Sequence, residues 1–456
     1  MRDDICFWPA YRQIAAIRDR TIGSRELLER YIARIETHDR QINSVVTRDF
    51  DNARRAADQA DAAIAQGRNL GALHGLPITI KDAIETKGIR STGGAVELSD
   101  HIPDCDAPVV AALKNAGAYI MGKTNLPRWS ADMQAYNEIF GRTNNPWNLK
   151  VGPGGSSGGA AAAVSAGLTS FDIGTDIGGS IRFPAAFCGV FGHKPSFGIV
   201  PSSGYLDSPE SVRPELDANV IGPIARSAED LDILLTVLLH WERPLVADLE
   251  EVDGDMGSLR VAAWLTDAAA PVDADVFEVI SRAVDVLSSV GHTTVDRTAR
   301  PTFDLRKASD LTRTLLMAAL ASSNVELSHG DWHEANRERL KLRMAWAEFF
   351  AEYDIILMPV CVVPPFPHLA DPKGDKPLMV NGKPTEYLEA LRWTTTVGQA
   401  YLPSTVAPVG LSSRGLPIGI QVVGRYGADR TTIRFAGFLS ELCGGYQPPP
   451  ANPPGH

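Results

Sequence analysis

No two cysteines in this chain have the C-x-x-C spacing. The five present, Cys6, Cys105, Cys188, Cys361 and Cys443, are scattered and odd in number. That pattern supplies neither a zinc site nor a disulfide framework, and it suits a reducing compartment. Basic charge is short as well: 44 Lys and Arg stand against 55 Asp and Glu, for a formal net charge of −11. Nucleic acid is neutralised by clustered Lys and Arg, so a nucleic-acid-binding surface spread over the whole protein is excluded. Long apolar runs are missing too. The most apolar stretch, Gly158 to Leu168, is broken by Ser165 and is too short to span a bilayer. The opening Met-Arg-Asp-Asp leads into neither a basic nor an apolar region, so no secretory signal is expected. The expected location is the cytoplasm.

What the chain does have is length and glycine. At about 150 residues per domain, 456 residues suggest two or three domains, although large α/β enzymes often form one. Helical spacing of Leu27, Leu28, Tyr31, Ile32 and Ile35 predicts a helix over 24–37 with Ser24 as its N-cap. Further helices are predicted over 51–66, from Val109, over Ser157 to Leu168, and over 275–290 and 306–324. Short buried strands are predicted at Leu76 to Lys81, Ala118 to Met121, Phe171 to Gly174, Tyr353 to Pro359 and Leu416 to Gly424. This alternation favours an α/β sheet core. The turn-rich residues 141–156 read as loop. The acid-rich stretch 247–257 reads as a solvated surface loop, and the Pro-rich end as a tail either held by contacts or disordered.

The glycines concentrate in two places, Gly152-Pro-Gly-Gly-Ser-Ser-Gly-Gly159 and Gly174-Thr-Asp-Ile-Gly-Gly-Ser-Ile-Arg-Phe-Pro184. Neither segment ends in the Gly-Lys-Ser/Thr of a phosphate-binding loop. Ser157 and Asp176 break the glycine spacing of a dinucleotide loop. Gly154-Gly-Ser156-Ser-Gly158 fits the G-x-S-x-G nucleophile elbow, but that elbow follows a buried strand, and here a turn-rich segment with two prolines precedes it. Consecutive N–H groups from Ile177 to Ser180 can form an anion-binding nest, with Ser180 as the attacking hydroxyl. Such a serine needs a base. His193 is the nearest histidine in sequence, but its surroundings read as strand or turn. The alternative is a lysine made neutral by burial, and Lys81 at the end of an apolar strand qualifies. On the residues alone, a surface lysine at a strand end is the stronger reading of Lys81.

These segments resemble the amidase signature family. The two glycine segments are similar to its signature, and Gly75-Leu-Pro-Ile-Thr-Ile-Lys-Asp82 to its lysine strand. Gly122-Lys-Thr-Asn-Leu-Pro127, Phe140-Gly-Arg-Thr-Asn-Asn-Pro-Trp147 and Gly415-Leu-Pro-Ile-Gly-Ile-Gln-Val-Val-Gly424 resemble further family motifs. The similarity spans nearly the whole chain and is weakest over about 240–350 and in the tail. Arg128 departs from the family, which commonly has an acid there.

The resemblance implies one large α/β domain, a central mixed twisted sheet covered by helices on both faces. Within it, 1–66 would be N-terminal helices, 67–235 the signature core, 236–350 a variable helical region, 351–445 the rest of the core and 446–456 the tail. It implies a Ser–Ser–Lys triad: Ser180 as acyl-forming nucleophile, Ser156 as bridge after a cis peptide bond, and Lys81 as base. The N–H groups of Ile177, Gly178, Gly179 and Ser180 would form the oxyanion hole. Ser157, Thr175, Asp176 and Arg182 would brace these loops. The expected reaction is hydrolysis of a small-molecule amide without cofactor or metal, and without nucleic acid or membrane as partner; a homodimer is left open. His329 and His333 have metal-ligand spacing but no third ligand in view. Met133, Tyr136, Phe140 and Trp393 are candidates for an acyl pocket, and each is equally credible as core. Two rivals remain: the amidase subunit of a glutamine-dependent tRNA amidotransferase, and a silent binding protein on the same fold.

Overall fold

Leu27, Leu28, Tyr31, Ile32 and Ile35 share one face of the helix Ser24–Ile42, and all five are buried. A computed structural model describes residues 4–68, 71–210, 214–239, 249, 254–290, 293–319, 327–369, 377–451 and 453–454. Ser24 proves to be the first helical residue rather than the N-cap, and its hydroxyl donates to the Gly75 carbonyl at 2.7 Å. The orphan N–H groups of Ser24 and Arg25 are met by Asp61 of the helix Phe50–Ala65, at 2.7 and 3.0 Å. A carboxylate at that end also opposes the helix dipole.

The apolar strands assemble into one eleven-stranded mixed sheet. In spatial order its strands begin at Val45, Tyr119, Pro77, Asp172, Val220, Phe191, Ser404, Pro417, Ile355, Val261 and Val295. The strand Pro77–Lys81 lies in the interior, parallel to Tyr119–Thr124 on one side and to Asp172–Asp176 on the other. All five of its residues are buried, as its run of apolar and β-branched side chains requires of a central parallel strand. Flanking helices seal the sheet. In Gly158–Ser165 all eight residues are buried, and their small size lets the helix pack closely. This single α/β domain replaces the two or three that length alone suggested.

One expectation changes. Residues 236–350 are not only helical: Val261–Ala263 and Val295–Asp296 extend the sheet, the former pairing in parallel with Ile355–Pro359. The predicted helix over 306–324 is seen as Leu305–Ala319, and residues 320–324 lie outside the described set. Most of the acid-rich stretch 247–257 also lies outside it. The described part of the tail is held by contacts, with the Leu149 N–H donating to the Pro454 carbonyl at 2.9 Å. No helix among the described residues is long and apolar enough to cross a membrane.

Candidate active site

Lys81 ends its strand fully buried, and its amine donates to Ser156 Oγ at 2.6 Å and to Thr175 Oγ1 at 2.7 Å. Burial pulls the amine down to about 7, against the attraction of Asp176 and Asp172. A neutral amine at neutral pH can accept a proton, which an ordinary surface lysine cannot.

Ser156 is buried and follows a cis peptide bond from Gly155. Gly155 has no room for a side chain: a Cβ there would lie 2.7 Å from the Met133 carbonyl carbon. Ser180 is half-buried, the one hydroxyl of the expected triad that solvent reaches. Its own carbonyl accepts from the Ser157 N–H at 3.1 Å, tying the two serine loops together. The hydroxyl of Ser180 makes no hydrogen bond to a described residue, so Lys81 and Ser156 are joined while Ser180, the more exposed of the two serines, is not linked to them.

The loop of Ser180 is held from behind. Asp176 accepts from the N–H groups of Gly179, Ile181 and Arg182, and forms a two-point ion pair with Arg182. Although burial works against it, the Arg182 charge keeps the Asp176 carboxyl below its ordinary range. Arg182 also donates to the Thr394 carbonyl and to Gln421. Ser157 Oγ contacts the Thr175 backbone at 3.3 Å on both its N–H and carbonyl sides. Thr175 itself does more than brace the loop, since it touches the lysine directly.

One member of the expected oxyanion hole is already engaged. The Gly179 N–H points at Asp176 Oδ1, 2.8 Å away, because a carboxylate is a stronger acceptor than any backbone group nearby.

The pocket candidates divide. Met133 is buried with its backbone against Gly155, beside the Ser156 turn. Tyr136 is half-buried on a two-residue strand paired with Arg142. Phe140 is half-buried with the Arg90 guanidinium 4.9 Å over its ring. Trp393 is fully buried in an aromatic cluster, edge-on to Trp264 at 5.2 Å. Its neighbour Thr394 donates to the Gly178 carbonyl at 2.7 Å, so the helix Arg392–Gln399 abuts the Ser180 loop.

His193 is buried between Thr405 and Asp429 at 2.9 and 3.1 Å, a structural tie between strands and the last helix. Arg128 pairs with Glu97 on the surface. His329 and His333 stack on the first turn of their helix, and no metal-binding group of three or more His, Cys, Asp or Glu occurs among the described residues.

Two residues escaped the sequence reading. Tyr205, in the segment 202–212, is buried and forms an antiparallel bridge with Ile84, three residues after Lys81. Asp172 sits in the strand beside Lys81, fully buried. An acid set between Phe171 and Ile173 in a buried stretch was the signal that could have found it.

The profile of the family described as Amidase matches residues 26–306 and 302–433. A glutamyl-tRNA(Gln) amidotransferase subunit of Anaeromyxobacter dehalogenans (strain 2CP-C) is 32% identical, over 96% of both chains. Indoleacetamide hydrolase of Bradyrhizobium diazoefficiens is 33% identical, over 92% of this chain and 84% of that one. Among solved structures, a bacterial aryl acylamidase of the amidase signature enzymes superposes with a TM-score of 0.80 at 26% identity, covering 97% of this chain and 99% of that one.

Proposed function

This chain belongs to the amidase signature family and is an amidase, a hydrolase of amide C–N bonds, and from that premise we propose that it works through an acyl-enzyme on Ser180. Neutral Lys81 takes a proton from Ser156 as Ser156 takes one from Ser180. Ser180 Oγ attacks the amide carbonyl, and the N–H groups of Ile177, Gly178 and Ser180 receive the oxyanion. The tetrahedral adduct collapses, the C–N bond breaks, and the proton returns from Lys81 through Ser156 to the departing nitrogen. Water then attacks the acyl-Ser180 ester with the same base, releasing the carboxylic acid and restoring Ser180.

The observation that carries this reading is the buried Lys81 amine in a 2.6 Å hydrogen bond with Ser156 Oγ, with its charge disfavoured by burial. The test is covalent trapping with a fluorophosphonate probe and peptide mass mapping. Label on Ser180, absent from Ser180→Ala, is expected; a protein that turns over amide but takes no label at Ser180 overturns the reading.

The substrate class we infer is a small amide with an aryl-bearing acyl or leaving group, after the indoleacetamide hydrolase and aryl acylamidase relatives. A panel of primary amides, anilides and peptide amides, read by product release, checks it. The reading also puts the enzyme in the cytoplasm, supported by its five unpaired cysteines. The amidotransferase relatives favour a second reading, in which the chain is one component of an assembly and frees ammonia from glutamine there. Copurifying partner chains together with glutaminase activity would decide for it.

A further inference from the structure

Lys81 and two of the side chains near it stand on one face of two adjacent parallel strands. Thr79 and Asp172 are register partners, and Lys81 follows Thr79 by two residues, on the same side of the pleat. Thr124, the partner of Lys81 on the other flank, completes the group. Asp172 Oδ2 accepts from Thr79 Oγ1 at 2.6 Å and from Thr124 Oγ1 at 3.0 Å. Its Oδ1 is buried and meets no hydrogen-bond donor among the described residues. A buried carboxylate in that condition is costly unless a positive charge nearby compensates for it.

We propose that Asp172 is a positioning residue for the amide hydrolysis: its carboxylate is the charge against which Lys81 takes up and gives back its proton during turnover. This rests on the reading of Lys81 as the base. The other charged groups nearby are already committed. Asp176 spends its charge on Arg182 and on three backbone N–H groups. Lys123, from the strand on the far side of Lys81, donates to the Ile84 carbonyl, Thr86 and Ser91, and faces Asp82 as well as Asp172. Lys194 faces Arg182, Asp176 and Asp429. Asp172 has no ion pair of its own among the described residues; its field acts on Lys81 alongside the larger one of the Arg182-bound Asp176, and Lys123 acts on Asp172 in turn.

The consequence is a matched pair. Burial lifts the Asp172 carboxyl and lowers the Lys81 amine, so the protonation ranges of the two groups are drawn toward each other. When the serine proton arrives on Lys81, the ammonium forms beside a carboxylate instead of in bare apolar surroundings. Thr79 and Thr124 keep that carboxylate ionisable by donating to it.

The experiment is the pH dependence of kcat/KM for Asp172→Asn, which keeps the shape and an acceptor for both threonines. Without the carboxylate, Lys81 loses its proton more readily. The acid limb should therefore move to lower pH by about one unit, and the plateau kcat should fall several-fold because the base is weaker. A folded Asp172→Asn enzyme whose acid limb stays at the wild-type position overturns the proposal. Should that variant fail to fold, Thr79→Val decides in its place. It weakens the ionised carboxylate, so the limb should move the same way by a smaller amount, and an unmoved limb overturns the proposal. Lys81→Ala separates the two levels. If it keeps the wild-type limb, the assignment of the base fails. If it abolishes the limb while Asp172→Asn leaves it in place, only the role of Asp172 fails.

Discussion

Asp176 and Arg182 form a two-point ion pair, at 2.8 and 3.0 Å, with both side chains sealed from solvent. The pair lies directly behind the Ser180 loop and ties it to the helix Arg392–Gln399 and to the strand carrying Gln421. Removing the guanidinium leaves a buried carboxylate that still holds the N–H groups of the loop but has lost its countercharge. Arg182→Met is expected to lose about 3–5 kcal/mol of stability in denaturant unfolding. Amidase activity should fall with it even at temperatures where the variant is folded. A variant as stable as the parent would show that the pair is dispensable.

The wild-type enzyme should lose activity as pH falls through about 7. In the proposed mechanism the lysine is a base only when neutral, and burial brings its amine down to about 7, so protonation below that pH removes the base. Above that limb the amine is already neutral and the rate should level. Lys81→Ala should lower kcat by about a hundredfold to ten-thousandfold and erase this limb. The check is a full profile of kcat/KM against pH for both proteins.

Gly179→Ala should inactivate without unfolding. Gly179 has φ +128°, a conformation that side-chain-bearing residues rarely adopt, and an added Cβ would meet the Phe183 ring at 2.5 Å. Relief of that clash must shift Ile177, Gly178 and Ser180, to whose N–H groups the proposed mechanism assigns the developing oxyanion. A fall of about a hundredfold in kcat is expected, comparable to losing one oxyanion donor, with an unchanged far-UV spectrum.

Trp393→Ala should show itself as a core mutation. Trp393 packs edge-on to Trp264, which in turn meets Phe303 and, through it, Trp346. Truncation should cost about 3–5 kcal/mol of stability. Trp393→Phe should retain the parent KM across an amide panel. A large rise in KM for aryl substrates alone would instead place the ring against the acyl group.

Strand and helix positions were legible where one periodicity dominates. The buried run of Pro77–Lys81 and the stripe of Ser24–Ile42 were readable because a parallel strand and an amphipathic helix each leave a local pattern. The N-cap of that helix was not readable, because Asp61 supplies it from another helix. The two short strands within 236–350 were missed for the same reason: three residues at Val261 and two at Val295 become strands only by pairing with neighbours already in the sheet. The engagement of the Gly179 N–H by Asp176 was not readable either, since it depends on where that carboxylate points.

By itself the sequence determined which residue types were available for the chemistry: two glycine-rich loops each carrying a serine, and a lysine at the end of an apolar strand. Glycine spacing and apolar runs are properties of the chain, so they survive in one dimension. The tertiary structure alone decided that Lys81 is fully buried, which of its neighbours hold it, and that Asp172 shares its sheet face. Those outcomes set the proton affinity of Lys81, because desolvation and Coulomb attraction depend on distance and dielectric, and the folded sheet brings together groups some ninety residues apart in the chain.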